Sequence, residues 1–168
     1  MSLDLKALLL TEPRLTLAVA ESMTCGRVQA RLGMLSGASE YFLGGITAYN
    51  LEQKVRHLGV ERETAEAVNC VSQEVAEQMA IGACVLFGSK VGLATTGYAE
   101  PDEARRVKHP FAWWAVAHDL GDGRTAVVSG MVECPGADRT RAQDTASIAA
   151  LNALARYLQQ ARQAGSGC

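Results

Sequence analysis

The sequence predicts a single α/β domain, a three-layer α/β/α sandwich built on a mixed sheet. Three observations predict it: short apolar runs alternate with amphipathic segments, two later apolar runs are joined by a tight turn signal, and a long amphipathic segment ends the chain. Strands alternating with helices favour parallel pairing, whereas the turn signal favours an antiparallel hairpin. We therefore expect one mixed sheet in one domain over residues 1–168, with the last few residues disordered.

The first elements follow from apolar periodicity and from the residues that begin or end each segment. A leucine stripe after the cap Ser2 predicts a helix that Pro13 ends, and the apolar run 15–20 predicts a buried strand. Helical spacing then begins, which predicts a strand-to-helix turn at residues 21–26. The run 41–49 predicts a second strand, in which paired glycines indicate a close backbone approach.

The remaining elements are marked by caps and turns. Asn50 begins a helix that extends to about residue 58, and Ser72 begins a longer helix that Gly88 ends. Later segments are predicted in the order strand 91–96, polar loop 97–110, strands 111–118 and 125–132, and helix 139–163. The turn at residues 121–123 predicts that the last two strands form the hairpin. A polar loop as long as 97–110 is often functional.

Composition excludes several classes of protein. The chain is 48% hydrophobic and 20% charged, with a formal charge of −2, so it carries no basic surplus for nucleic acid. Five scattered cysteines without a C-x-x-C pair predict neither a disulfide framework nor a zinc site. The three histidines share no metal-ligand spacing. No apolar segment suits a signal peptide or a membrane span, so we expect a soluble cytoplasmic protein.

Ser22 is the first candidate for chemistry, because it follows a predicted strand where a helix begins. The N–H groups at a helix start favour an anion, so residues 22–26 could stabilise an oxyanion or hold a phosphate. The alternative is that Ser22 or Thr24 only caps the helix. Trp113 and Trp114 are adjacent in a predicted strand and must face opposite sides of the sheet, where one could meet a partner subunit or the ligand loop.

Several motifs occur in order along nearly the whole chain. They are Glu21-Ser22-Met23-Thr24-Cys25-Gly26, the run 37–45 that ends in Gly44-Gly45, Ala48-Tyr49-Asn50 with Lys54, Leu58-Gly59-Val60, the run 71–76, and Thr95-Thr96-Gly97. Their order and spacing resemble the CinA C-terminal family, also known as the nicotinamide mononucleotide deamidase family.

The resemblance implies an amidohydrolase that converts nicotinamide mononucleotide to nicotinate mononucleotide and ammonia. It implies no cofactor, and it implies assembly into a homo-oligomer. In that family a serine that matches Ser22 is the nucleophile, with Lys54 matching the base and Tyr49 matching a proton shuttle. The chemistry is coherent, because burial lowers the pKa of a lysine and lets it accept the serine proton.

The resemblance also implies residues that contact the substrate, and these are Thr24, Gly26, Gly45, Thr96, Gly97 and Arg139. Among them Arg139, which opens the last helix, is the candidate for the 5′-phosphate. The start of the helix after residues 22–26 is a second candidate for the same anion.

The chain departs from the family pattern at several positions beside the predicted site. Met23 and Cys25 replace a cysteine and a glycine, Glu100 stands in a loop that is usually rich in glycine, and Gln143 replaces an arginine. These changes leave two alternatives open. One is a catalytically silent nucleotide-binding or scaffold protein, and the other is an amidase for a different pyridine or amide substrate.

Overall fold

The computed structural model describes residues 4–165 and contains one five-stranded sheet between two layers of helices. The strands are β1 (Leu17–Glu21), β2 (Phe42–Thr47), β3 (Val91–Tyr98), β4 (Phe111–Gly121) and β5 (Arg124–Glu133). The helices are α1 (Leu5–Leu10), α2 (Arg27–Gly33), α3 (Leu51–Leu58), α4 (Arg62–Ala67), α5 (Gln73–Phe87) and α6 (Arg139–Gly165). This confirms the predicted α/β/α sandwich with a mixed sheet.

The sheet has the strand order β2-β1-β3-β4-β5. β1 pairs in parallel with β2 and with β3, while β3–β4 and β4–β5 are antiparallel. The β4–β5 turn places Asp122 and Gly123 at positive φ angles of 54° and 72°, the conformation that tight hairpins require. The predicted hairpin is confirmed.

Alternation along the strands divides the core between the two faces of the sheet. On one face Leu17 and Val19 of β1 pack with buried residues of α1, α2 and α6. On the other face Ala18 and Ala20 pack with α3, α4 and α5. Connections that leave β1 and β2 therefore run to opposite faces of the sheet, because α2 follows β1 and α3 follows β2.

The face covered by α5 depends on small residues. A Cβ atom added to Gly92 of β3 would lie 2.0 Å from the Ala80 carbonyl oxygen of α5, and one added to Gly82 would lie 2.1 Å from the Leu58 carbonyl oxygen of α3. Such distances are far below van der Waals contact, so glycine is required for α5 to pack this closely. As expected, the adjacent tryptophans lie on opposite faces of the sheet. Trp114 packs on the face covered by α1, α2 and α6, and Trp113 packs on the face covered by α3, α4 and α5.

Two helical segments were not predicted from the sequence, α4 and a 3₁₀ turn at Ala38–Glu40. α4 has six residues, Arg-Glu-Thr-Ala-Glu-Ala, and buries only Ala65, so it lacks the apolar stripe that reveals a helix. α1 begins after Asp4, whose side chain accepts the Ala7 N–H. The predicted cap Ser2 and the predicted disorder at residues 166–168 fall outside the described residues.

Candidate active site

A cleft of about 520 Å³ lies at the carboxyl ends of β1, β2 and β3. Its position follows from topology, since a crevice opens where neighbouring parallel strands send their connections to opposite faces. Six of the nine predicted site residues line this cleft: Ser22, Tyr49, Lys54, Thr96, Gly97 and Arg139. The fold therefore brings together residues that are as many as 117 positions apart in the chain (139 − 22).

The side chain of Lys54 lies at the base of the cleft and is almost fully buried, with 1% of its surface exposed. Asn50 caps α3 by accepting the Gln53 N–H, and the first turn of α3 then directs Lys54 inward. Its Nζ donates to Ser22 Oγ at 2.9 Å, to the Ala48 carbonyl at 2.8 Å and to the Tyr49 carbonyl at 3.2 Å. The amine is thus held by one hydroxyl and two backbone carbonyls.

Burial lowers the pKa of Lys54 from its ordinary value of 10.5 to about 8. Desolvation is the main cause, and the nearby thiol of Cys70 opposes it slightly. About a tenth of the Lys54 amines are then neutral at pH 7. A neutral amine has two N–H donors and one lone pair. Because the two carbonyls can only accept, both N–H donors bind to them, and the lone pair is left to accept from the Ser22 hydroxyl.

Ser22 is placed by the end of β1. Its N–H donates to the Thr95 carbonyl at 3.0 Å, which extends the β1–β3 pairing by one residue. Its side chain lies at the floor of the cleft, where 7% of the residue remains exposed. The Ser22 hydroxyl is consequently fixed beside Lys54 and still reaches the space a ligand would occupy.

Glu21 immediately precedes Ser22 and is fully buried. One carboxylate oxygen accepts the Gly26 N–H at 3.0 Å and the Val28 N–H at 3.1 Å, and the other accepts the Gln29 N–H at 2.9 Å. The start of α2 is therefore already occupied by a carboxylate of the chain itself. The N–H groups of Gly26, Val28 and Gln29 are therefore not free for the substrate anion that we expected at this helix start.

Glu21 also organises the turn through two threonines. The Thr24 hydroxyl donates to Glu21 Oε2 at 2.5 Å and lies 2.7 Å from the Thr95 hydroxyl. Because a hydroxyl has one proton, the Thr95 hydroxyl must be the donor in that second contact. The sequence analysis assigned no role to Glu21. The signal that could have identified this residue is a charged side chain at the end of an apolar strand.

Three residues expected to contact substrate do not line the cleft. Thr24 is fully buried and its hydroxyl is used within the turn. Gly26 donates its N–H to Glu21. A Cβ atom at Gly45 would lie 2.6 Å from the side chain of Gln29, so this glycine makes room for α2. The structure thus gives these three residues packing and hydrogen-bonding roles.

The departures at Met23, Cys25 and Gln143 leave the turn intact. Met23 is buried with residues of α6, and Gln143 of α6 donates to the Met23 carbonyl at 2.8 Å. Cys25 has a φ of 50°, the left-handed conformation in which a glycine is favoured over residues with a Cβ atom. The backbone therefore keeps the shape that a glycine would adopt there, with the added strain of a side chain.

The orientation of the peptide between residues 23 and 24 follows from the Gln143 contact. In a trans peptide the N–H points opposite to the carbonyl, so the Thr24 N–H points away from Gln143. That N–H has no acceptor among residues 4–165. Thr24 is fully buried, so this N–H is enclosed within the turn.

Tyr49 and Arg139 meet at the mouth of the cleft. The Tyr49 hydroxyl accepts from Arg139 Nη2 at 2.7 Å and makes no hydrogen bond to Ser22 or Lys54 within the described range. It is the Tyr49 carbonyl that binds Lys54. The other Arg139 nitrogen, Nη1, donates to Glu100 Oε1. The predicted proton relay through the Tyr49 hydroxyl therefore has no hydrogen-bonded path in this structure.

Another wall of the cleft comes from a segment that the sequence did not single out. Asn69 and Cys70 have positive φ angles of 50° and 61°, and Cys70 presents its carbonyl to the Thr96 hydroxyl at 2.7 Å. The Thr96 proton is thus used by the protein, so Thr96 can only accept from a ligand. The Asn69 amide donates to the Tyr98 hydroxyl at 3.0 Å. Burial raises the pKa of the Cys70 thiol, which lies close to Lys54.

Residues 4–165 contain neither a cluster of potential metal ligands nor a membrane-spanning helix. Three or more His, Cys, Asp or Glu side chains suited to a metal ion do not cluster there. No helix in the same range is long and apolar enough to cross a membrane.

Known proteins are similar to this chain in sequence and in architecture. The model of the CinA C-terminal domain matches residues 3–158. A CinA-like protein of Citrifermentans bemidjiense is 38% identical over 155 residues, which cover 92% of this chain and 36% of that protein. This chain spans roughly a quarter to a third of the length of the curated relatives it matches.

Solved structures of this superfamily have the same fold. A competence-damaged protein (CinA) superfamily protein from Escherichia coli is 27% identical, with a TM-score of 0.75 over 90% of this chain and 83% of that one. The corresponding protein from Enterobacter cloacae is 25% identical, with a TM-score of 0.80 over 92% of this chain and 88% of that one.

Replacing Glu21 by Gln should destabilise the protein and disrupt the turn that holds Ser22. A glutamine amide would direct N–H donors at backbone N–H groups that need acceptors, so we expect the free energy of unfolding to fall by about 2–4 kcal/mol. Urea unfolding measures it. Glu40→Gln is the control, because Glu40 forms an exposed pair with Lys6 and should cost less than about 1 kcal/mol. Equal costs for both variants would refute the role of Glu21.

Proposed function

Since this chain belongs to the CinA C-terminal domain family, we propose that it is a serine amidohydrolase that cleaves the carboxamide of a nicotinamide nucleotide, with nicotinamide mononucleotide as the reference substrate. The observation that carries the proposal is the 2.9 Å contact between the buried Lys54 amine and the Ser22 hydroxyl. A lysine with a lowered pKa beside a serine is a base paired with its nucleophile.

In the first half-reaction Ser22 attacks the carboxamide carbon while neutral Lys54 takes the hydroxyl proton. The carbonyl oxygen of the carboxamide becomes negative in the tetrahedral intermediate. The C–N bond then breaks, and the Lys54 ammonium returns its proton to the leaving nitrogen. Ammonia departs and leaves an ester between the acyl group and Ser22.

In the second half-reaction a water molecule takes the place of ammonia, and the steps of the first half-reaction occur in reverse order. Neutral Lys54 accepts a proton from the water as it attacks the ester carbon. The Lys54 ammonium then returns that proton to Ser22 Oγ as the C–O bond to Ser22 breaks. The products are a carboxylate and the free enzyme. Lys54 reaches Ser22 directly, so this scheme requires no relay through the Tyr49 hydroxyl.

The alternative is a protein that binds a nucleotide without turning it over. The observation that favours it is the contact between Arg139 and Glu100, because the predicted phosphate ligand already has a carboxylate partner. A rise in melting temperature on addition of nicotinamide mononucleotide, without release of ammonia, would support this alternative. We favour the hydrolase, because burial lowers the pKa of Lys54 and places its amine in contact with the Ser22 hydroxyl.

Release of ammonia from nicotinamide mononucleotide by the purified protein tests the hydrolase. Ser22→Ala and Lys54→Ala should each lower kcat by about a thousandfold or more, since each removes a partner in the same proton transfer. Lys90→Ala is the control, because Lys90 is an exposed lysine paired with Asp119 and its loss should leave the rate unchanged. A folded wild-type protein that releases no ammonia would contradict the proposal.

The pH dependence of kcat/KM should follow the ionisation of Lys54. The active amine is the neutral form, so the rate should rise about tenfold per pH unit below the pKa and level off above about 8. Rates between pH 6.5 and 9.5 measure this. Cys70→Ser serves as the control for the neighbouring thiol and should keep the inflection near 8. A profile that is flat over this range would exclude Lys54 as the base.

A further inference from the structure

Arg139 at the mouth of the cleft already has anionic and polar partners. Its Nη1 donates to Glu100 and its Nη2 donates to the Tyr49 hydroxyl. A phosphate that approached Arg139 would therefore meet a guanidinium group whose two terminal nitrogens already donate hydrogen bonds to other residues. It would also meet the Glu100 carboxylate, a charge of the same sign as its own.

The backbone of the following loop holds Glu100 in this position. Ala99 is buried, and beyond it Asp102 and Val107 exchange two backbone hydrogen bonds, of 3.0 and 2.8 Å, which close the loop into a short hairpin. Glu100 lies between these two fixed points and lines the cleft. Its place at the mouth thus follows from the structure of the chain.

The other cations of the loop, Arg105, Arg106 and Lys108, do not line the cleft and so do not offset Glu100 there. Arg105 donates its N–H and its guanidinium to the Asp102 carboxylate, at 3.1 and 2.8 Å. The charged residues that line the cleft are two cations, Lys54 and Arg139, and two carboxylates, Glu100 and Asp102. Lys54 is used at the base of the cleft, so the mouth carries no surplus of positive charge for a dianionic phosphate.

We propose that Glu100 is a specificity-determining residue that competes with a substrate phosphate for Arg139, so that the cleft favours N-ribosyl carboxamides without a phosphate over their phosphorylated forms. The inference rests on the proposed function, because it assumes that a carboxamide reaches Ser22. It adds that the substrate class of this chain is shifted from the nucleotide toward the nucleoside.

The competition is moderate because the pair is exposed to solvent. The side chains of Arg139 and Glu100 are 46% and 61% exposed, and ion pairs of this kind are weak and screened by salt. A phosphate can displace Glu100 at a cost in affinity. The effect of removing Glu100 should accordingly be several-fold and should shrink at high ionic strength.

The experiment compares two probes that differ only in the phosphate, nicotinamide mononucleotide and nicotinamide riboside. Their dissociation constants are measured by calorimetry on three proteins that all carry Ser22→Ala: the otherwise unchanged chain, Glu100→Gln and Glu103→Gln. Glu103→Gln is the matched control, because it removes the same charge from the same loop at a residue that does not line the cleft. Each titration is run at low and at high salt.

We expect Glu100→Gln to tighten binding of the mononucleotide by about threefold to tenfold at low salt, with the riboside changed by less than about twofold. Glu103→Gln should change neither, and high salt should reduce the gain. Equal gains for both probes, or equal effects of the two variants, would overturn the inference. So would failure of all three proteins to bind either probe.

The two proposals can fail separately. Because Ser22→Ala removes the nucleophile, the binding comparison does not depend on turnover. Ammonia release by the wild type with no selective gain in Glu100→Gln would refute the role of Glu100 alone. A selective gain in Glu100→Gln without ammonia release by the wild type from either the mononucleotide or the riboside would refute the hydrolase alone.

Discussion

The site depends on one costly interaction, the burial of the Lys54 amine beneath Ser22. Removing an ammonium group from water is unfavourable, and the protein compensates with two backbone carbonyls and one hydroxyl. The same desolvation brings the pKa of Lys54 to about 8, so that a usable fraction of the amine is neutral near physiological pH. Burial thus provides the reactivity, and the carbonyls of Ala48 and Tyr49 aim the lone pair at the serine.

That interaction requires Ser22 to stay in place, which is the task of Glu21. Strand β1 ends at Glu21, and the buried carboxylate caps α2 from the preceding turn. The five-residue turn is consequently held at its start by strand pairing, in its middle by Gln143 and at its end by the cap. In the proposed reaction, a rigid backbone around Ser22 keeps the reacting atoms near productive geometry, which is how a scaffold contributes to rate.

Much of this arrangement could be predicted from the sequence, and the rest has identifiable physical reasons for being missed. Periodicity and caps identified all five strands, and the resemblance brought Ser22 and Lys54 together. The short polar helix α4 gave no apolar signal. The role of Glu21 depends on three backbone N–H groups that approach only after the turn has formed, and the Arg139–Glu100 contact joins residues 39 positions apart. Side-chain partners of this kind are set by tertiary structure, which local sequence patterns do not report.

The central claim is that Lys54 is a buried amine with a pKa near 8, and a direct titration tests it. The chain has four lysines, Lys6, Lys54, Lys90 and Lys108, so the side-chain NMR signals of isotope-labelled lysine are few enough to assign by substitution. The account predicts that one signal, the one absent from the Lys54→Ala variant, titrates near pH 8. If the Lys54 signal titrated near its ordinary value of 10.5, Lys54 would remain charged at neutral pH and could not be the base for Ser22.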